Sequence, residues 1–259
     1  MSDNTTIIFY DISFAEPNVC WSPNTWKTRF CLNYKGLSYR TEWVEYPDIE
    51  SVCRRIGAAP THKTPVDVIK VDVTPAYTFP VIYDPTTKRA ISESFEIALY
   101  LDATYPNTPR LIPPGTHDFQ LAFVSLAMLR IIPHAGPLMR VKVFKKLAQG
   151  RSQEYFRRTR EAMYGKKIEE FEPEGEASIE VWKGFQAGLQ LLDEVARKET
   201  GGDYLHGANP IFADFALAGI FQWCKAGFGA DSEQWKEIME WQDGRWAAFV
   251  ARLDKYTQV

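Results

Sequence analysis

Four prolines fall within the nine residues from Pro106 to Pro114, in the stretch PNTPRLIPPGTH. Proline has no backbone N–H to give to a helix or a sheet ladder, and it biases the residue before it toward extended backbone. No regular element survives four of them at this density. The break therefore separates two folding units, expected at residues 1–107 and 118–259, with 108–117 as the linker. A chain of 259 residues is long enough for two modest domains with full cores.

The two sides of the break carry different periodicities. Before it, short β-prone runs alternate with helical ones. Thr5–Tyr10 (TTIIFY) reads as a strand, and Asp11–Ser22 as a loop. Ser22-Pro23 suits the N-cap and first turn of a helix, behind which Trp26, Phe30 and Tyr34 recur every four residues. Lys27 and Arg29 are expected to face water, and Lys35-Gly36 to stop the helix. Tyr39–Glu45 is extended, and Ile49–Ile56 is a short helix ended by Gly57. In Thr78–Tyr105 the period changes partway: apolar Pro80–Tyr83, a turn at Asp84-Pro85-Thr86-Thr87, a run to Ser92, then helical spacing from Ser94. The order is β-α-β followed by β-β-α, with parallel pairing across the first helix and a hairpin in the second half. Between them, residues 58–75 form a long excursion with prolines at 60, 65 and 75, either a ligand-facing loop or a plain insertion.

Beyond the break the signal is helical. Phe119, Ala122, Phe123, Leu126 and Leu129 share a face that Pro133 and Pro137 are expected to interrupt. Gln149–Phe171 is a second, charged tract, and the lysines and arginines within 151–167 read as a solvated face. Ile179, Trp182, Phe185, Leu189 and Leu192 mark core positions of a third helix, ended by Gly201-Gly202. Ile211–Phe228 is strongly apolar with one carboxylate, Asp214, expected to cap its first turn. A last helix spans about 233–256, with Trp235, Trp241 and Trp246 expected in packing roles.

Several function classes lose their support. The net charge of −3 offers no footprint for nucleic acid. No window reads as a membrane span, and the polar start MSDNTT runs directly into a strand. Four cysteines do not make a disulfide scaffold, so a cytoplasmic location is expected. The four histidines are isolated, and no CxxC, HExxH, phosphate-loop, dinucleotide or nucleophile-elbow motif occurs; no metal site is expected.

Two helix starts remain. Ser22 is either an ordinary N-cap or the hydroxyl nearest an anion held over the helix end. A thiolate there would gain a hydrogen bond and the favourable end of the dipole. Lowering a thiol from about 8.5 to about 6.5 requires roughly 2.7 kcal/mol, within reach of those two effects. Phe79-Pro80 is either an ordinary edge proline or a cis pair offering the Phe79 backbone to an extended peptide. Glu93 and Ser94 are either a solvated helix start or a matched pair, the glutamate for an ammonium and the serine for a carboxylate. Cys20 is a rival nucleophile, though a lone cysteine is more often a small buried hydrophobe.

With SPNTWKTR at 22–29, FPVI at 79–82 and SESFEIALYLD at 92–102, the chain resembles the cytosolic glutathione transferases, and within them the fungal class related to bacterial β-etherases. The resemblance implies an α/β thioredoxin-like N-terminal domain followed by an all-α C-terminal helical domain. It implies glutathione as co-substrate, with Ser22 stabilising its thiolate, Phe79 before cis-Pro80 bonding its cysteinyl backbone, and Glu93 and Ser94 holding its γ-glutamyl head. Serine at position 22 cannot form mixed disulfides, which favours direct thiolate attack on an aromatic or hydrophobic electrophile, with etherase-like or peroxidase chemistry as variants. A weakly catalytic carrier of aromatic molecules on the same fold is the alternative. The second substrate is expected against Phe119–Arg130 and Trp21–Asn24, and a homodimer is implied. Ile211 departs from the family, which usually has Ser or Thr there, and so weakens the helix cap.

Overall fold

A computed structural model describes residues 5–61, 77–197 and 203–259. Most of the 58–75 excursion and the Gly201-Gly202 stop lie outside the described residues. The first half holds β1 (Ile7–Asp11), α1 (Pro23–Lys35), β2 (Tyr39–Trp43), a 3-10 turn (Tyr46–Asp48), α2 (Ile49–Ile56), β3 (Val81–Asp84), β4 (Arg89–Ser92) and α3 (Ser94–Thr104). The second half is helical: α4 (His117–Lys146), α5 (Arg151–Tyr164), α6 (Gly175–Arg197), α7 (Phe212–Phe228) and α8 (Glu233–Leu253). This is the α/β-then-all-α organisation expected from the sequence.

The strands order as β2-β1-β3-β4. β1 runs parallel to β2, as a helical crossover requires, and antiparallel to β3, which forms the hairpin with β4. One rung sets the geometry of the site: Val81 pairs with Tyr10 on one side and Ser92 on the other. The C-terminal end of β1, the N-terminal end of β3 and the C-terminal end of β4 therefore share one edge of the sheet. The loop into α1 leaves that edge, and α3 starts from it.

Packed rings join the two halves, and a buried ion pair within the first half holds the linker. Phe30 of α1 stacks on Phe215 of α7, with centroids 5.7 Å apart. Lys35 Nζ lies 2.8 Å from Asp102 of α3, whose carboxylate also accepts the Leu111 and Ile112 N–H groups of the linker.

The helical half corrects four expectations. α4 is continuous through Pro133 and Pro137. The carbonyls that lose an N–H partner belong to Leu129 and Pro133, both exposed residues, where water can replace the missing bond. α4 is also long and apolar enough, by length and composition, to cross a bilayer, although no such window was expected. Here one of its faces, with Phe123, Ala127, Ile131 and Ala135, is buried in the protein core. Ile179, read as core, is 55% exposed in the first turns of α6. The last helix is two, since Trp241–Gly244 leave helical backbone, with Gly244 at φ 73°.

Candidate functional site

Ser22, Phe79-Pro80 and Glu93-Ser94 come together at the shared sheet edge. Ser22 is 7% exposed and takes the N-cap position of α1, with extended backbone. Its carbonyl accepts the Trp26 N–H at 3.1 Å, but its side chain makes no capping bond to its own helix. Pro23 follows at the first helical position, where its missing N–H costs nothing. The Phe79–Pro80 peptide is cis, and both residues are buried one step before the Val81 rung. Directly opposite, Glu93 follows Ser92 at φ 72°, ψ 126°, and no side chain caps α3 either. A positive φ at a non-glycine residue costs of order 1–3 kcal/mol and collects at functional sites.

Lys27, expected to face water, is buried under this edge at 7% exposure. Its Nζ donates to Asn24 Oδ1 at 3.0 Å. Burial lowers its pKa to about 8, opposed by the Glu93 carboxylate. An ammonium from α1 and a carboxylate from the start of α3 thus act on one another across the site. Nothing in the helical spacing pointed to this. The only local signal is Asn24, three residues earlier.

Arg29 is likewise fully buried instead of solvated. Its Nη2 meets Asp11 Oδ2 at 2.9 Å at the end of β1, and its guanidinium lies 4.9 Å from the Phe9 ring centroid and 5.5 Å from that of Trp43. Cys20 Sγ donates to the same Asp11 oxygen at 3.0 Å. Burial, and then the Asp11 carboxylate, push the Cys20 thiol well up. That is the reverse of what a nucleophilic cysteine needs, so Cys20 acts as an interior donor that ties the 11–22 loop to β1.

The start of α1 is also held from the helical half. A Cβ placed on Gly219 of α7 would stand 2.6 Å from the Pro23 carbonyl oxygen. Only glycine lets the two backbones approach this closely beside Ser22.

Asp214 caps α7 as expected. It is fully buried and accepts the N–H groups of Ile211 and Leu205, each at 2.9 Å. Burial outweighs those donors and pushes its carboxyl up to about 7. The departure at Ile211 is compensated from elsewhere: Gln120 Oε1 of α4 accepts the Ala213 N–H at 2.9 Å, and the Leu111 carbonyl accepts that of Phe212. Acceptors from α4 and the linker thus supplement the cap that Asp214 makes within α7.

The wall beside Ser22 is aromatic. Trp21 stacks on Phe14 at 5.2 Å and lies 6.3 Å from Tyr46, which stacks on Tyr155 of α5 at 5.8 Å. The C-terminal end of α4 meets this loop, with the Ala15 N–H donating to the Lys146 carbonyl at 2.9 Å. The N-terminal end of α4, just ahead of Phe119–Arg130, meets the start of α3, where His117 lies against Phe95. Two open clefts, of about 750 and 830 Å³, lie along the β2 edge and on the outer side of α5. Neither includes Ser22, Pro80, Glu93 or Ser94, and neither joins open helix starts to a buried charge pair. The sheet edge remains the candidate site. Among the described residues, no three His, Cys, Asp or Glu side chains gather to hold a metal.

Comparison with known proteins agrees with this fold. Residues 21–104 match the family described as "Glutathione S-transferase, N-terminal domain", and residues 118–256 match "Glutathione S-transferase, C-terminal domain". The glutathione S-transferase-like protein ustS of Aspergillus flavus is 30% identical over 95% of this chain and 89% of its own. A glutathione transferase of Phanerochaete chrysosporium superposes with TM-score 0.89 at 45% identity, covering 98% of each chain. A glutathione S-transferase of Ceriporiopsis subvermispora, solved with glutathione, superposes with TM-score 0.90 at 41% identity over 98% of each chain. A β-etherase of Sphingobium shares the fold at 16% identity and TM-score 0.63, so the expected kinship with bacterial β-etherases is a likeness of fold only.

Proposed function

The chain belongs to the glutathione S-transferase family, and from that premise we propose that it activates glutathione through Ser22 for attack on aromatic or hydrophobic electrophiles. One observation carries this reading. Ser22 is buried at the start of α1 with its hydroxyl not spent on its own helix, at the same sheet edge as Glu93 and Ser94.

In this reading residues 1–107 bind glutathione, 108–117 link, and 118–259 complete the electrophile site. Glu93 accepts the γ-glutamyl ammonium, Ser94 and the open start of α3 hold its carboxylate, and the Phe79 backbone before Pro80 pairs with the cysteinyl residue. The Lys27 ammonium faces the Glu93 carboxylate and helps to keep it in place. The glutathione thiol loses its proton to solvent, and the Ser22 hydroxyl donates to the sulfur that remains. The thiolate forms a carbon–sulfur bond as the leaving group departs with its electron pair. Ether cleavage and hydroperoxide reduction use the same thiolate, and pocket shape selects among them. The protein acts as a homodimer, as the family resemblance implies. Four buried, unpaired cysteines suit a reducing, cytoplasmic setting.

The test is a titration of thiolate absorbance for glutathione bound to the wild type and to Ser22→Ala. A midpoint well below that of free glutathione, moved back toward it by the substitution, is expected. Saturable binding with no shift in either protein would instead identify a carrier.

A further inference from the structure

The described arginines that are not exposed fall into two groups. Arg29, Arg157, Arg245 and Arg252 each pair with a carboxylate, at 2.9, 2.6, 3.1 and 2.8 Å. Arg140 and Arg160 pair with none among the described residues. Both are half-buried, and both lie against rings. The Arg140 guanidinium stands 4.1 Å over the Tyr164 ring, and that of Arg160 stands 4.7 Å from Phe156 and 5.9 Å from Tyr46. Arg160 and Tyr164 are one turn apart on the same side of α5, so the ring under Arg140 is the next neighbour of Arg160. The two cations repel: burial, and also the Arg160 charge, lower the Arg140 pKa. Arg140 also hydrogen-bonds the Tyr164 side chain, and Arg160 donates to the Thr159 hydroxyl at 3.0 Å.

The space for Arg140 comes from Gly136, one turn earlier on α4. A Cβ there would lie 2.8 Å from Arg140 Nη2, so the guanidinium rests where a side chain would otherwise stand. The cluster connects to the candidate site through Tyr46, whose ring lies 6.3 Å from Trp21, the residue before Ser22.

Two neighbouring guanidiniums without a counter-ion are costly unless an anion visits them, and flanking rings favour an anion carried on an aromatic body. We propose that Arg140 and Arg160, with Tyr164 between them, form a subsite for the carboxylate or sulfonate group of an aromatic acid that enters between the 3-10 turn and α4–α5. This deepens the transferase reading and rests on it for the identity of the neighbouring site: the second substrate is an aromatic acid, not a neutral aryl compound.

The probes are two dyes with one ring skeleton, 8-anilino-1-naphthalenesulfonate and the neutral N-phenyl-1-naphthylamine. The wild type is expected to bind the sulfonate about ten-fold tighter, and Arg140→Met and Arg160→Met each to remove about ten-fold from it while leaving the neutral dye within about two-fold. Gly136→Ala, which crowds Arg140, is expected to weaken the sulfonate alone. Equal losses for both dyes, or unchanged sulfonate binding in variants that melt like the wild type, would overturn the subsite. Should the methionine variants not fold, the wild type still decides: sulfonate affinity that does not fall with added salt overturns it. Glutathione must leave sulfonate binding intact, because competition would assign the arginines to the glutathione site. If the thiolate titration fails while dye discrimination persists, the transferase reading falls and the anion subsite stands.

Discussion

α1 and α7 both start from a buried residue, Ser22 and Ile211, and their first turns could hardly be treated more differently. At α7 the first turn is closed by acceptors from three places: Asp214 within the helix, Gln120 on α4 and the Leu111 carbonyl in the linker. At α1 no side chain caps the helix, although Ser22 is a residue type that commonly does so. α3 begins in the same way, with Glu93 in left-handed backbone and no side-chain cap. Each helix start carries partial positive charge and N–H groups that need partners. Where the protein itself provides acceptors, the start is part of the core. Where it does not, and a hydroxyl stands beside it, the start is suited to an anion from outside.

Substitutions at the two kinds of start should separate along that line. Ser22→Ala should have the largest effect, raising the bound thiol midpoint by about one to two pH units and lowering kcat/KM by about 10- to 100-fold, the worth of a hydrogen bond to a charged group. Its melting temperature should stay near that of the wild type. Gln120→Ala should do the opposite, costing about 1–3 kcal/mol in denaturant unfolding by leaving the Ala213 N–H without its acceptor, with glutathione affinity retained. A loss of affinity there, or of stability in Ser22→Ala, would erase the distinction.

Lys27→Met should raise KM for glutathione about three- to ten-fold with little change in kcat, because it frees Glu93 without touching the sulfur. It should not lower stability, since a buried ammonium already pays for its desolvation. In the wild type, glutathione affinity should weaken as pH rises through about 8, where Lys27 loses its proton. Lys27→Arg should move that decline to higher pH. A pH-dependent effect on stability is expected at Asp214. Its folded pKa of about 7 lies above the unfolded value, so its contribution to stability is complete below about pH 4 and is lost as pH rises through 7. The stability advantage of wild type over Asp214→Asn, read by denaturant unfolding, should shrink across that window.

What the sequence disclosed and what it withheld follow a physical divide. The parallel pair and the hairpin came from short alternating runs and a turn, the helix start at Ser22 from residue type and proline placement, and that at Ser94 from a change of period. These are local signals, whereas the antiparallel pairing of β1 with β3 was not read from them. The burial of Lys27 and Arg29 was not legible, because spacing cannot show that Asp11 and Glu93 await them from other elements. Gln120 caps a turn 93 residues away, and a single glutamine in an apolar helix announces no such role. Pro133 and Pro137 misled for a related reason: whether a proline breaks a helix depends on whether its orphaned carbonyl reaches water, which is known only once the helix is placed.

The close approach of Gly219 to the Pro23 carbonyl has a consequence for how such proteins can be recombined. A chimera that joins this glutathione-binding half to another helical half inherits a demand for glycine at one position of the incoming α7. Alanine there would push against the backbone one residue from Ser22, and the chimera would lose activity while each half kept its own residues intact. Exchange of electrophile specificity by swapping halves is therefore restricted to donors that match at this point.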